Sequence, residues 1–110
     1  MSKRDPSLLL QDMRDAMSRV ARYVSGMDLA AFLEDEKTID AVVRNIEIIG
    51  EASRQMPEDF KSRHPDIPWL QMAGMRNRIV HDYAGVDLEL VWEVVSHALP
   101  NLRAQLTELE

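Results

Sequence analysis

Apolar residues recur along this chain at intervals of three and four, and hardly anywhere in strict alternation. That period lines them along one face of a helix, so the pattern predicts an all-α fold. The first stripe is Leu9, Met13, Ala16, Met17, Val20 and Val24. It opens at Asp5-Pro6, an acidic cap followed by proline at the first helical position, and Gly26 is its expected stop. Asp28 caps a short segment, Leu29 to Leu33. A second long helix is expected from about Asp35 to Met56. Its stripe is Ile39, Val42, Val43, Ile46, Ile49, Ser53 and Met56, and Gly50 allows a close neighbour. Pro57 to His64 reads as a short helix or turn closed by Pro65. Pro68 opens a helix through Trp69, Met72, Ala73, Ile79 and Val80 that should end near Ala84-Gly85. Asp87 caps the last helix, with Leu88, Val91, Trp92, Val95, Leu99, Leu102 and Leu106 on its apolar face. Pro100 lies inside it and removes the hydrogen bond to the Ser96 carbonyl, which predicts a kink or break.

Four principal helices with short connections predict an antiparallel helical bundle supplemented by short helices. The 110 residues fit one domain spanning residues 1–110. A chain of this size buries a real core yet gains from association. The methionine- and alanine-rich faces of the first helix suit a helix–helix interface, which is compatible with a homodimer.

Composition narrows the function classes. There is no cysteine, which excludes disulfides and thiolate metal sites and fits a reducing compartment. The N-terminal Met1-Ser2-Lys3-Arg4-Asp5-Pro6 leads into a three-leucine run broken by Gln11 and Asp12, which is neither a signal peptide nor a membrane span. A soluble cytoplasmic protein is expected. The formal charge of −6 argues against coating nucleic acid by bulk electrostatics. It leaves room for a small basic pocket, because Arg44, Arg54, Lys61, Arg63, Arg76 and Arg78 cluster mid-chain between the acidic segments Glu34-Asp35-Glu36 and Thr107-Glu108-Leu109-Glu110.

The densest chemistry is Arg76-Asn77-Arg78-Ile79-Val80-His81-Asp82-Tyr83: two guanidiniums, an imidazole, a carboxylate and a phenol in about two helical turns. Cations can hold a phosphate, and histidine can move a proton near neutral pH. On an ideal helix Arg76 and His81 would lie roughly 140° apart, whereas Asn77 and His81, and Arg78 and Asp82, would share faces. A site using Arg76, His81 and Tyr83 therefore needs the helix end to bend or a second subunit to contribute. In such a site His81 serves as general acid or base, and Arg76 stabilises charge on phosphate. Arg78 is a second anion ligand or a partner of Asp82, and Tyr83 orients a phosphate, stacks a base or accepts a modification. RNA carries its own nucleophile, the 2′-hydroxyl, so these groups can cleave it without a metal. The competing reading is a solvated helix face with ordinary Arg–Asp pairing.

The other chemistry-bearing residues favour structural roles. His64, in a presumed turn, reads as a surface residue, and His97 has no partner at ligand spacing. The three histidines form no metal-binding pattern, and no cofactor is expected. Trp69 and Trp92 suit the core better than a base-stacking platform. Glu47 and Glu51, one turn apart, read as a solvated pair with general-base or partner roles as the alternative. Arg44 and Arg54 either extend an RNA track or are surface charge. No glycine-rich phosphate loop is present, so ATP use by this chain alone is not expected.

The string Arg76-x4-His81-x-Tyr83 resembles the signature of HEPN-domain ribonucleases, and the tyrosine two places after the histidine resembles the HepT branch. Three further segments are similar to that family, Asn45-Ile-Glu-Ile-Ile-Gly-Glu-Ala52, Ile67-Pro-Trp-Leu70, and Val86-Asp87 leading to Val91-Trp92, and so is the whole string from Met75 through Tyr83. The resemblance extends from about Leu8 to Leu106. It implies a HEPN-like helical homodimer acting as the toxin of a toxin–antitoxin pair and as a metal-independent endoribonuclease. It implies Arg76 and His81 as catalytic residues, with Asn77, Arg78, Asp82 and Glu51 as supporting or RNA-binding candidates. The implied partner is an MNT-type nucleotidyltransferase antitoxin that transfers AMP to Tyr83. The alternative is a non-catalytic helical partner or modification substrate of such an enzyme, and a third possibility is a phosphate or nucleotide sensor.

Overall fold

The computed structural model describes residues 5–81 and 85–109, with the side chain of His81 outside that description. The helices are α1 Pro6–Tyr23, α2 Leu29–Leu33, α3 Glu36–Gln55, α4 Glu58–Arg63, α5 Trp69–Ile79, α6 Leu88–Glu93 and α7 Leu99–Thr107. A π-helical turn, Val94–Ala98, joins the last two.

Local chemistry starts four of these helices. The carboxylates of Asp5, Asp28, Asp35 and Asp87 accept the backbone N–H of Ser7, Ala31, Thr38 and Leu90 at 2.8, 2.9, 3.0 and 3.1 Å. Each satisfies a donor that the first helical turn leaves open. Asp5, through the hydroxyl and backbone of Ser7, and Asp35, through Thr38, are held below the ordinary carboxylate pKa. Gly26 has φ +78 in the turn after α1, a conformation that suits glycine.

Side-chain contacts fix how the long helices run. Ser53 Oγ meets Met13 Sδ at 3.4 Å, and Arg19 Nε donates to Asn45 Oδ1 at 2.8 Å, so rising numbers on α1 meet falling numbers on α3. Arg14 Nη2 donates to Leu106 O at 2.8 Å and Arg103 Nη2 to Ser18 Oγ at 3.1 Å, which makes α7 antiparallel to α1 as well. Gly50 lies against Met72 and Ala73, and Glu47 lies near Arg76, so α3 and α5 are also antiparallel. The molecule is an all-α antiparallel bundle of HEPN-like form, with α3 packed between α1 and α5. Its core is one cluster that includes Met13, Met17, Phe32, Val42, Ile46, Ile49, Met72, Ile79, Val91 and Leu106.

One expectation is corrected. α5 stops at Ile79 rather than near Ala84-Gly85. The β-branched Val80 takes extended angles, φ −107 and ψ 119, and Val80–His81 (β1) pairs antiparallel with Gly85–Val86 (β2). Asp87 N–H then donates to the backbone oxygen of the buried Ile79 at 2.7 Å, tying the end of α5 to the cap of α6. Gly85, at φ +83, adopts the left-handed backbone that opens β2. The disturbance expected at Pro100 takes the form of a π-helical turn immediately before it. The helix does not break there. It widens for one turn, with Leu99 N–H reaching back five residues to Val94 O, which absorbs the missing proline donor within a continuous helical run.

Candidate functional site

The α3–α5 crossing builds the groove that Arg76 lines. Gly50 has no side chain, and a Cβ there would meet Met72 O at 3.3 Å and Ala73 O at 3.4 Å. This close approach brings the polar residues that flank Gly50 on α3 up to the last turn of α5. Glu47, Gly50, Glu51, Arg54, Ala73, Arg76 and Asn77 enclose a polar groove of about 270 Å³.

Its two arginines differ in how they are held. Arg54 Nη1 meets Glu51 Oε1 at 2.8 Å, and its Nη2 donates to Ala73 O at 3.2 Å. Gln55 Nε2 occupies the other oxygen of Glu51 at 3.2 Å. The Arg54–Glu51 pair is therefore closed. Arg76 has Glu47 Oε2 at 4.0 Å from its Nε and a long 3.4 Å contact from Nη1 to its neighbour Asn77 Oδ1. The side chains of Arg76 and Glu47 are 51% and 44% exposed, so this guanidinium is accessible to an anion.

The other sequence candidates fall in different places. Glu51 and Asn77 do line the groove with Arg76. Arg78 does not. It lines a separate groove with Met72, Met75 and Leu102 between α5 and α7. Because α5 ends at Ile79, the helical face expected for Asn77 and His81, and the 140° separation of Arg76 from His81, do not apply. The backbone of His81 sits on β1, two residues past the helix end. Asp82 and Tyr83 lie outside the described residues, as does any Arg78–Asp82 pair.

Glu47 and Arg54 are the residues that sequence reasoning undervalued. The signal was present: they lie three residues before and four after the glycine that marks the helix contact, so they had to rim it. Arg44 sits across the ridge formed by Glu47 and Glu51, in a neighbouring groove of about 390 Å³ shared with α1.

The remaining candidates lie away from this groove. Trp69 is buried, with Nε1 donating to His64 O at 3.0 Å, and His64 is half-buried against Phe60 at 4.7 Å. Trp92 packs on Phe32 at 5.1 Å. His97 does have an acidic neighbour, Glu93 Oε1 at 3.9 Å one turn away, in an exposed pair. Among the described residues no group of His, Asp or Glu is arranged to hold a metal ion, and no helix is long and apolar enough to cross a membrane.

Comparison with known proteins adds chemistry to this geometry. Residues 13–109 match the family model described as "Ribonuclease HepT-like". The chain is 40% identical over 107 residues to a Thermococcus cleftensis protein named "Probable ribonuclease HepT", covering 97% of each chain. It is 36% identical over 109 residues to a Methanocaldococcus jannaschii protein named "Putative RNase", covering 99% of this chain and 90% of that one. A Caldanaerobacter subterraneus protein of the same name is 37% identical over 86 residues, 78% of this chain and 77% of its own. No solved structure matches.

Proposed function

The chain belongs to the HepT-like ribonuclease family, and from that premise we propose that it is the toxin of a toxin–antitoxin pair and cuts RNA without a metal ion, using Arg76 and His81. The observation that carries this reading is the state of Arg76: an exposed guanidinium on a polar groove, loosely held, five residues before the histidine. In the proposed reaction the 2′-oxygen of RNA attacks the adjacent phosphorus while the P–O5′ bond breaks. One proton leaves the 2′-hydroxyl and one is delivered to the departing 5′-oxygen, leaving a 2′,3′-cyclic phosphate and a 5′-hydroxyl. His81 handles proton transfer, and Arg76 stabilises the charge that grows on the phosphoryl oxygens. Asn77 and Glu51 support the groove.

In the same reading the chain is a cytoplasmic homodimer neutralised by an MNT-type nucleotidyltransferase that places AMP on Tyr83. An adenylate there adds negative charge and bulk two residues from His81, which would oppose RNA phosphate electrostatically. Purified protein is expected to cut RNA in excess EDTA, and His81→Ala to abolish cutting while the helical circular dichroism is kept. Cleavage that needs a divalent ion, or that survives the substitution, overturns the mechanism.

The formal charge of −6 and the closed Arg54–Glu51 pair favour a second reading, in which the chain is a non-catalytic partner or modification substrate of the transferase. Mass spectrometry of Tyr83 after co-expression with the transferase, beside the cleavage assay, separates the two. Adenylate without RNase activity in the unmodified form supports the second.

A further inference from the structure

We propose that Glu47 is a built-in stand-in for substrate phosphate: its carboxylate occupies the anion position of Arg76 in the free protein and is exchanged for an RNA phosphate on binding. The inference rests on reading Arg76 as the phosphate-holding residue. Two Glu–Arg pairs share one groove, and they are built differently. Arg54 and Glu51 are joined at 2.8 Å, and both ends have further hydrogen-bond partners. Glu47 stands 4.0 Å from Arg76 Nε, beyond hydrogen-bond length, although the two side chains are no more exposed than those of the closed pair, 51% and 44% against 60% and 56%. A pair of that kind is weak, worth at most about a few-fold in an equilibrium. It orients a guanidinium without locking it, and a phosphate oxygen, which forms short charge-assisted hydrogen bonds with arginine, can replace it.

The displaced carboxylate has somewhere to go. Glu47 lies on the ridge between the Arg76 groove and the larger groove on the α1 side, and it lines both. Arg44, three residues earlier on α3, lines that second groove and is near enough in helical spacing to receive it. Glu47 would thus move from Arg76 to Arg44 when phosphate arrives. In the free protein its negative charge lowers the affinity of the Arg76 position for stray anions.

The test is titration of inorganic phosphate at low, fixed ionic strength, followed at the Arg76 Nε–Hε resonance by NMR. Glu47→Gln keeps the shape and removes the charge, and phosphate should bind about three-fold more tightly. Glu47→Asp keeps the charge, and phosphate should bind close to the wild-type value. Equal affinity in the wild type and Glu47→Gln overturns the proposal, as does tighter binding in both variants, which marks a packing effect. Absence of any phosphate response at Arg76 overturns the proposal and the anion-binding role of Arg76 together. Because the probe is phosphate and not RNA, the role of Glu47 is tested equally well in a protein that lacks ribonuclease activity. Where RNA is cleaved, KM for RNA should fall in Glu47→Gln.

Discussion

The carbonyl oxygen of Met72 faces Gly50 so closely that a Cβ on Gly50 would stand 3.3 Å from it. Backbone on α5 thus rests almost on backbone of α3. This contact sets the width of the groove in which Glu47, Glu51, Arg54, Arg76 and Asn77 meet.

Gly50→Ala should therefore be destabilising despite alanine's better helix propensity. Overpacking against rigid backbone costs about 1–3 kcal/mol, and the propensity gain returns roughly 1. A net loss of about 1 kcal/mol, or roughly 4 °C in Tm, is expected by thermal denaturation. RNA cleavage should fall further than stability alone accounts for, because the substitution shifts the last turn of α5 and displaces Arg76 from the groove it lines.

Asn45 is a buried polar residue tying α1 to α3, with Arg19 Nε donating to its Oδ1 and its own Nδ2 donating to Ala41 O at 2.7 Å. Asn45→Ala removes a charge-assisted hydrogen bond and should cost about 2 kcal/mol in urea denaturation. Asn45→Asp, which retains an acceptor for Arg19, should cost less.

Acid stability should reflect the cap of α3. The pKa of Asp35 is lowered from its ordinary 3.8, first by the backbone N–H of Thr38 and then by its hydroxyl. A carboxyl depressed in the folded state contributes stability above its unfolded value, and that contribution is lost as pH falls through the folded one. Asparagine also caps helices but does not titrate there. The stability difference between wild type and Asp35→Asn should consequently shrink as pH drops below about 4, as read from urea midpoints across the acid range.

The two arginines of the motif should separate in kinetics. Arg76→Ala is expected to lower kcat/KM for RNA by about 10²–10³, the scale for losing one donor that stabilises developing anionic charge. Arg78→Ala should cost less than about ten-fold, the order of one lost surface phosphate contact, since Arg78 lines the opposite groove beside Met75 and Leu102. Comparable losses in both would mean that RNA spans both faces of α5.

Helix identity and starts could be read from sequence because their causes are local. Apolar spacing and the four aspartate caps act within one turn of the residues they govern. Gly50 also announced a close contact, though not its partner. The end of α5 could not be read in the same way. Arg76 to Tyr83 has helical spacing, but Val80 leaves the helix because β1 can pair with β2 and Asp87 can reach Ile79 O. Those partners lie several residues downstream, where helical periodicity carries no information. The π-helical turn is similar: Pro100 announced a disturbance, but not that it would be a single widened turn at Val94–Ala98. Within the site, Arg76 and Glu51 stood out by motif and family likeness. The looseness of Arg76 and the commitment of Arg54 are tertiary properties with no sequence marker.

The hydrogen bond from Asp87 to Ile79 also bears on entropy. It ties the residue that ends α5, with its buried side chain, to the residue that caps α6, and β1 and β2 both adjoin those anchored positions. Backbone on β1 that is held both by strand pairing and by this neighbouring bond has fewer arrangements than backbone held by one of them. Any ligand, substrate or modifying enzyme that engages His81 on β1 therefore meets backbone whose conformational freedom was already reduced when the bundle folded. Less of its binding energy is consumed in ordering the chain.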